Sequence, residues 1–458
     1  MDNIKEKANY CLNCKIKPCQ SGCPLGNDIP EFIKNVKEEN YEQAYKILSR
    51  TTVLESVCGR ICPHMSQCMG KCVRGIKSAP VNIGDLEAFV GDTAIKNGYS
   101  MNELEDGQLK KVQSKKVAVI GSGPAGLTCA AFLAREEGVQ VTIFEKKDVL
   151  GGLLRHGIPE FRLPKEILDN TINKIISLGI NVELKKELGV NLNLEELKKQ
   201  YDAIFISIGA NVPWKMGIEG EELKGVYGGN SLLEYNTHPD YKGKKVAVIG
   251  GGNVAMDCAR TINKKGAEKV YVIYRRAEEQ MPAEKKEIAD AKKEGIEFLF
   301  KTNVVKVIGN NNLVNKIECI KTELIQKEGE KRLSPVNIEG SNFQLDMDYV
   351  VMAIGSMPEE KIVNQLGLEC DKNGYIKVNE NYETSIKNVF AGGDVVGTKA
   401  TVAWAARTGR EVAEYILKWN NPGRSSFVSK MKQKKTVPKC FKKEENWWQF
   451  YGKIRNYL

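Results

Sequence analysis

Histidine is nearly absent from this chain: only His64, His156 and His238 occur among 458 residues. Acid–base chemistry built on imidazole has little to draw on. No apolar run reaches 18 residues, so no membrane span is expected. The opening stretch MDNIKEKANYCLNC lacks the apolar core of a secretory signal, which points to the cytoplasm. No nucleic-acid-binding motif accompanies the net charge of +10. Much of that charge sits in the last forty residues, at Lys430, Lys432, Lys434, Lys435, Lys439, Lys442 and Lys443, and reads as a solvated tail.

Cysteine, by contrast, is abundant and unevenly placed. Eight of the thirteen lie between Cys11 and Cys72. In a reducing compartment such crowding points to metal rather than disulfides. The scattered Cys129, Cys258, Cys319, Cys370 and Cys440 read as small buried hydrophobes. The length exceeds one compact core and suggests two to four domains, with 42% hydrophobic and 28% charged residues as in ordinary globular proteins.

One internal repeat organises the rest. KVAVI at 116–120 recurs at 245–249, each copy followed by glycines, and each unit has a later strand ending in Ile-Gly, IFISIGA at 204–210 and VVMAIGS at 350–356. Two dinucleotide-binding βαβ units follow from this. The N-terminal region has helical apolar spacing instead, in IPEFIKNVKEENYEQAYKILSR and VNIGDLEAFVGDTAIKN. The expected class is α/β: two Rossmann-like domains preceded by an all-α domain. The expected boundaries are a helical domain over 1–110, a first dinucleotide domain in two parts over 115–240 and 348–420, and a second over 241–347. The basic tail 421–458 is unassigned.

The first unit carries Gly121-Ser-Gly123-Pro124-Ala125-Gly126 between a strand and a helix. The glycines let backbone approach a pyrophosphate, and the helix start supplies amide donors. The next strand ends in Glu145, placed to accept hydrogen bonds from a ribose diol. Gly152, Leu153 and Arg162 fall in a Gly-rich segment that can lie along the cofactor, and Gly393-Asp394 ends a late strand where a carboxylate can hold a ribityl hydroxyl. The helix that follows can steady negative charge on a reduced ring. These residues outline an FAD site. The second unit has Gly250, Gly252, Asn253, Val254 and Ala255, and its next strand ends not in an acid but in Arg275-Arg276. Two guanidiniums suit the 2′-phosphate of NADPH better than the bare ribose of NADH.

The cysteines fall into Cys11-x2-Cys14-x4-Cys19-x3-Cys23-Pro24 and Cys58-x3-Cys62-x5-Cys68-x3-Cys72. Eight thiolates suffice for two [4Fe-4S] clusters, or for two zinc sites; zinc would more often use paired CxxC ribbons and has no redox use beside a flavin.

Taken together, the cysteine groups with CPLGNDIPEFI, VCGRICP, GSGPAG, GGLLRHGIPEFRLP, GGGNVAMD, YRRAEEQMPA and VFAGGDV resemble the small-subunit family of NADPH-dependent glutamate synthase. The same module occurs in the large subunit of NADH-dependent ferredoxin:NADP oxidoreductase and in the N-terminal half of dihydropyrimidine dehydrogenase. The resemblance covers residues 1 to about 420. It implies one cluster held by Cys11, Cys14, Cys19 and Cys72, and another held by Cys23, Cys62 and Cys68. Its fourth ligand comes from a helix, with Glu87 at the matching position and Cys58 as the competitor.

The expected function is hydride uptake from NADPH onto FAD and delivery of single electrons through the clusters. No FMN-binding barrel pattern and no N-terminal glutaminase nucleophile are present, so a larger catalytic subunit carrying FMN and iron–sulfur centres is expected as partner. Alternatives are an electron-bifurcating or ferredoxin-linked NADP oxidoreductase subunit, and a non-catalytic cluster-bearing scaffold. A disulfide reductase is disfavoured, since no CxxC lies near either flavin segment.

Overall fold

The computed structural model describes residues 2–101, 114–326 and 332–419. Most of the polar stretch between the first two regions and the basic tail 421–458 lie outside the described residues.

The N-terminal region is helical, as its apolar spacing predicts, with one difference. The pattern read across residues 29–50 is two helices, Ile29–Lys37 and Tyr41–Ser49. Glu39 between them has φ of 61°, which the right-handed helix cannot accommodate. The turn folds one helix onto the other, so that Phe32, Ile33 and Val36 are buried, as are Ala44, Tyr45 and Leu48. Helices Glu55–Ile61 and Ile83–Asn97 pack closely through glycine. A Cβ on Gly59 would fall 2.4 Å from the Ala88 nitrogen. This contact brings Cys58 beside Glu87.

Each KVAVI repeat lies in a five-stranded parallel sheet. In the first the order is Val389–Ala391, Ala203–Ile206, Lys115–Ile120, Val139–Glu145, Asn181–Leu184. In the second it is Val226–Gly228, Tyr349–Met352, Lys245–Ile249, Lys269–Tyr274, Glu297–Phe300. Val117, Ala118 and Val119 are fully buried, as are Val246, Ala247 and Val248, which is why both repeats read as unbroken apolar runs. Strands Val226–Gly228 and Tyr349–Met352 belong to the second sheet, although boundaries at 240 and 347 would leave them in the first unit. A chain that crosses twice between units distributes each sheet over distant segments, so a linear boundary misassigns the outlying strands.

The second unit also carries an antiparallel extension: Thr302–Asn310, Leu313–Ile325, Ser334–Asn337 and Phe343–Asp346. Among the described residues no helix is long and apolar enough to cross a membrane.

Candidate dinucleotide and iron–sulfur sites

The ends of the first sheet open into a cavity of about 800 Å³. Gly121, Gly123, Pro124 and Ala125 line one side, Glu145 and Gly152 another, and Gly393 and Asp394 a third. Helix Pro124–Ala134 begins at the glycine turn, and Gly126 packs too closely for a side chain: a Cβ there would fall 1.9 Å from the Gly121 oxygen. Gly123 differs, since a Cβ would meet open space among the described residues. That space is where a pyrophosphate would lie against backbone amides.

Asp394 is the strongest sign of a missing polar partner. Its Oδ1 is buried without a hydrogen bond among the described residues, and burial pushes the carboxyl up to about 6. A ribityl hydroxyl would satisfy that oxygen. Gly393 is held by its amide donating to Thr408 Oγ1 at 2.7 Å, and Thr401 and Val402 at the start of the next helix also face the cavity. Glu145 has a further role that its position in the sequence does not reveal. Its Oε2 accepts hydrogen bonds from the Ser122 amide at 2.9 Å and hydroxyl at 2.5 Å, and its Oε1 accepts from the Lys147 amide. The carboxylate therefore braces the glycine turn at the cavity edge. Leu153 lines the same cavity. The residues present fit FAD.

Arg162 also lines the cavity, but its charge is engaged by protein. Nη1 donates to Asp257 Oδ1 at 3.0 Å and Oδ2 at 2.8 Å, and Nε lies 3.3 Å from Glu287 Oε1. Asp257 belongs to helix Asn253–Lys264 of the second unit, whose Asn253 and Val254 share the cavity wall. The arginine thus joins the two units; only the pairing partner's position in space, not the sequence around Arg162, could reveal this. His156 and Asn211 are further lining residues, each with a buried atom unpartnered among the described residues, that sequence reading passed over.

In the second unit Gly250 repeats the close approach, with a Cβ falling 2.2 Å from the Ala353 oxygen, and Gly252 again faces open space among the described residues. Ala255 is buried in the helix behind them. Arg275 and Arg276 follow the last residue of strand Lys269–Tyr274, as the sequence implies. Arg275 is exposed, and Arg276 donates from Nε to the Leu333 oxygen at 3.2 Å. The open turn and the paired cations fit a phosphorylated dinucleotide.

Cys11, Cys14, Cys19 and Cys72 together line one small pocket, closed by Ile29, Ile33 and Ile83. They come from both cysteine groups, as the resemblance implies. Cys23, Cys62 and Cys68 form a second neighbourhood with Glu87 and Cys58. Burial, with Glu87 and Cys62 adding to it, pushes the Cys23 thiol up to about 12. Burial, with Cys23 and Glu87 adding to it, lifts Cys68 well above the ordinary thiol range. Glu87 is pushed up to about 8 by burial and by Glu55, against a hydrogen bond from Asn27 Nδ2 at 3.0 Å. Cys62, burial, Glu87 and Cys23 together lift Cys58 well above the ordinary thiol range. Acids gathered in the interior ionise only beside a strong positive charge, which an iron–sulfur core supplies. The residues present fit such a core.

Sequence comparison agrees with this geometry. Residues 115–409 match the pyridine nucleotide-disulphide oxidoreductase family, and residues 1–99 match the dihydropyrimidine dehydrogenase domain II, 4Fe-4S cluster family. The glutamate synthase [NADPH] small chain of Halomonas elongata is 36% identical over 430 residues, spanning 90% of this chain and 89% of that one. This chain belongs to the glutamate synthase small-chain family. Another small chain, from Escherichia coli, is 34% identical over 91% of both chains. The small-chain module also extends into larger proteins: the NADP(+)-dependent formate dehydrogenase subunit beta of Moorella thermoacetica is 37% identical, but this chain spans only 60% of it. Among solved structures, FprA from Mycobacterium tuberculosis superposes with a TM-score of 0.59 at 20% identity, covering 67% of this chain and 84% of that one, which supports the fold. As a small-chain family member the protein is an oxidoreductase, an iron–sulfur flavoprotein that uses a pyridine nucleotide.

Proposed function

We propose that this chain oxidises NADPH and delivers the electrons through FAD and two [4Fe-4S] clusters to a larger subunit, as the small chain of a glutamate synthase. The observation that carries this reading is continuity of one cavity. It is bounded by the first glycine turn, by Asn253 and Val254 of the second unit, and by Ile61 and Pro63, the two neighbours of Cys62. A nucleotide on one side and a thiolate on the other would both border the space fitted to FAD.

When bound, FAD accepts two electrons from a nicotinamide and returns them singly. The chain's residues hold and orient. Gly121, Gly123, Pro124, Ala125 and Gly126 present the pyrophosphate cradle, Glu145 its edge, Gly152 and Leu153 its wall, and Gly393 and Asp394 the ribityl side. Gly250, Gly252, Asn253, Val254 and Ala255 would receive NADPH, with Arg275 and Arg276 selecting its 2′-phosphate. Cys11, Cys14, Cys19 and Cys72 would hold one cluster. Cys23, Cys62, Cys68 and Glu87 would hold the other. Glu87 is favoured over Cys58 by its matching position in the resemblance, and both lie in the neighbourhood of Cys23. Thiolate clusters of this kind suit a reducing cytoplasm.

A second reading, an NADP-linked oxidoreductase subunit with a different partner, is supported by the likeness to the Moorella formate dehydrogenase subunit. Anaerobic purification with the native partner tests both. We expect about eight iron and eight acid-labile sulfide per chain, and NADPH oxidation coupled to glutamate formation from 2-oxoglutarate and glutamine. Coupling to another acceptor would select the second reading. Zinc without labile sulfide would overturn the cluster assignment.

A further inference from the structure

We infer that Arg332, on the antiparallel extension, is a third cationic residue for the 2′-phosphate of NADPH; the inference rests on the nucleotide reading above. In a βαβ unit the end of the second strand meets the adenosine ribose. Here that end is Tyr274, and its ring lies over the glycine turn: a Cβ on Gly251 would fall 2.6 Å from it. The Tyr274 hydroxyl donates to the Gln280 oxygen at 2.8 Å. Arg332 Nη2 reaches this same corner, 3.4 Å from the Tyr274 hydroxyl and 3.3 Å from the Gln280 oxygen.

The extension is fastened to both sequence-identified arginines. Thr322 Oγ1 donates to the Arg275 oxygen at 2.9 Å, and Arg276 Nε donates to the oxygen of Leu333, the residue after Arg332. Arg275, Arg276 and Arg332 are therefore assembled at one strand end by two separate segments. The side-chain Oε1 of Gln280 is buried there without a hydrogen bond among the described residues, and as an acceptor it would take a donor from the adenosine ribose or amine rather than from the phosphate. The nearby acid Glu278 is paired with Lys292 at 2.6 Å, which limits its repulsion of a phosphate. Arg332 itself is exposed, and its two contacts lie at the long end of hydrogen-bond distance, so the guanidinium can turn its fork to an incoming anion.

The test uses the full chain with its cofactors and two probes, 2′,5′-ADP and 5′-AMP, measured by calorimetry. Arg332→Ala should weaken 2′,5′-ADP by about tenfold, the order of one charged hydrogen bond, and leave 5′-AMP unchanged. Arg332→Lys should recover part of the loss, and the KM for NADPH should rise while that for NADH stays. Equal losses for both probes would make Arg332 a pin for the extension and overturn the inference. So would an unchanged 2′,5′-ADP affinity in a protein whose wild type discriminates the probes. A wild type that does not discriminate them would overturn the NADPH reading itself, and this inference with it.

Discussion

Asp394 carries opposing demands on one carboxyl. Burial raises its folded pKa from 3.8 to about 6. Ionisation therefore works against the flavin-free fold: the penalty is absent below the unfolded value and complete above the folded one. A difference of that size is worth about 3 kcal/mol. Asp394→Asn should raise the melting midpoint of the flavin-free chain at pH 7.5 and change it little near pH 4, as scanning calorimetry would record. The same variant should bind FAD about tenfold to a hundredfold more weakly, because a charge-assisted hydrogen bond to the ribityl chain is lost. A variant destabilised at both pH values would show that the carboxylate serves the fold rather than the cofactor.

At the scale of elements, the joint between the two dinucleotide units is ionic. Arg162, 6% exposed, meets Asp257, 4% exposed, and Glu287 continues the chain of charges to Arg260, which also binds Glu294 at 2.8 Å. The Arg260 guanidinium lies 4.4 Å over the ring of Phe161, the residue before Arg162. Burial drives the Asp257 carboxyl up to about 6, opposed by Arg162. Removing Arg162 would strand Asp257, while Glu287 keeps Arg260, a loss of about 3–5 kcal/mol for a broken buried pair. Arg162→Ala should show that loss in urea unfolding, and Arg162→Ala with Asp257→Asn should lose less than the two single variants summed. With FAD content unchanged, flavin reduction at saturating NADPH should slow, because the joint orients the second unit toward the cavity. Additive losses with an unaltered reduction rate would remove the pair from any positioning role.

Across the whole molecule, the helical region is seated on the flavin unit by arginines that satisfy backbone carbonyls. Arg410 Nη1 donates to the oxygens of Leu25 and Thr51 at 2.8 and 2.7 Å, and Arg135 Nη1 donates to the Ser49 oxygen at 2.7 Å. These carbonyls lie beside the turns that carry Asn27 and the second cysteine neighbourhood. The first cysteine pocket shares no lining residue with the flavin cavity. Cys14→Ser should therefore remove one cluster and leave FAD content and NADPH-driven flavin reduction intact. Iron analysis and paramagnetic resonance of the reduced protein would show it; retention of both clusters would refute the assignment of Cys14.

The sequence by itself determined the chemistry of the parts. The two KVAVI-glycine repeats, Glu145, Asp394 and the arginine pair are legible because each marks a turn or a strand end set by residues adjacent in the chain. Cysteine spacing showed two groups of four thiols for the same reason. Tertiary structure decided what those local patterns cannot encode. Cys72 joins Cys11, Cys14 and Cys19 across some fifty intervening residues, and Cys58 comes beside Glu87 because Gly59 lets two helix backbones touch. Arg162 finds Asp257 95 residues away, and Arg332 finds Tyr274 58 residues away. Such pairings follow from packing and burial, whose geometry is a property of the assembled sheets and helices rather than of any one segment.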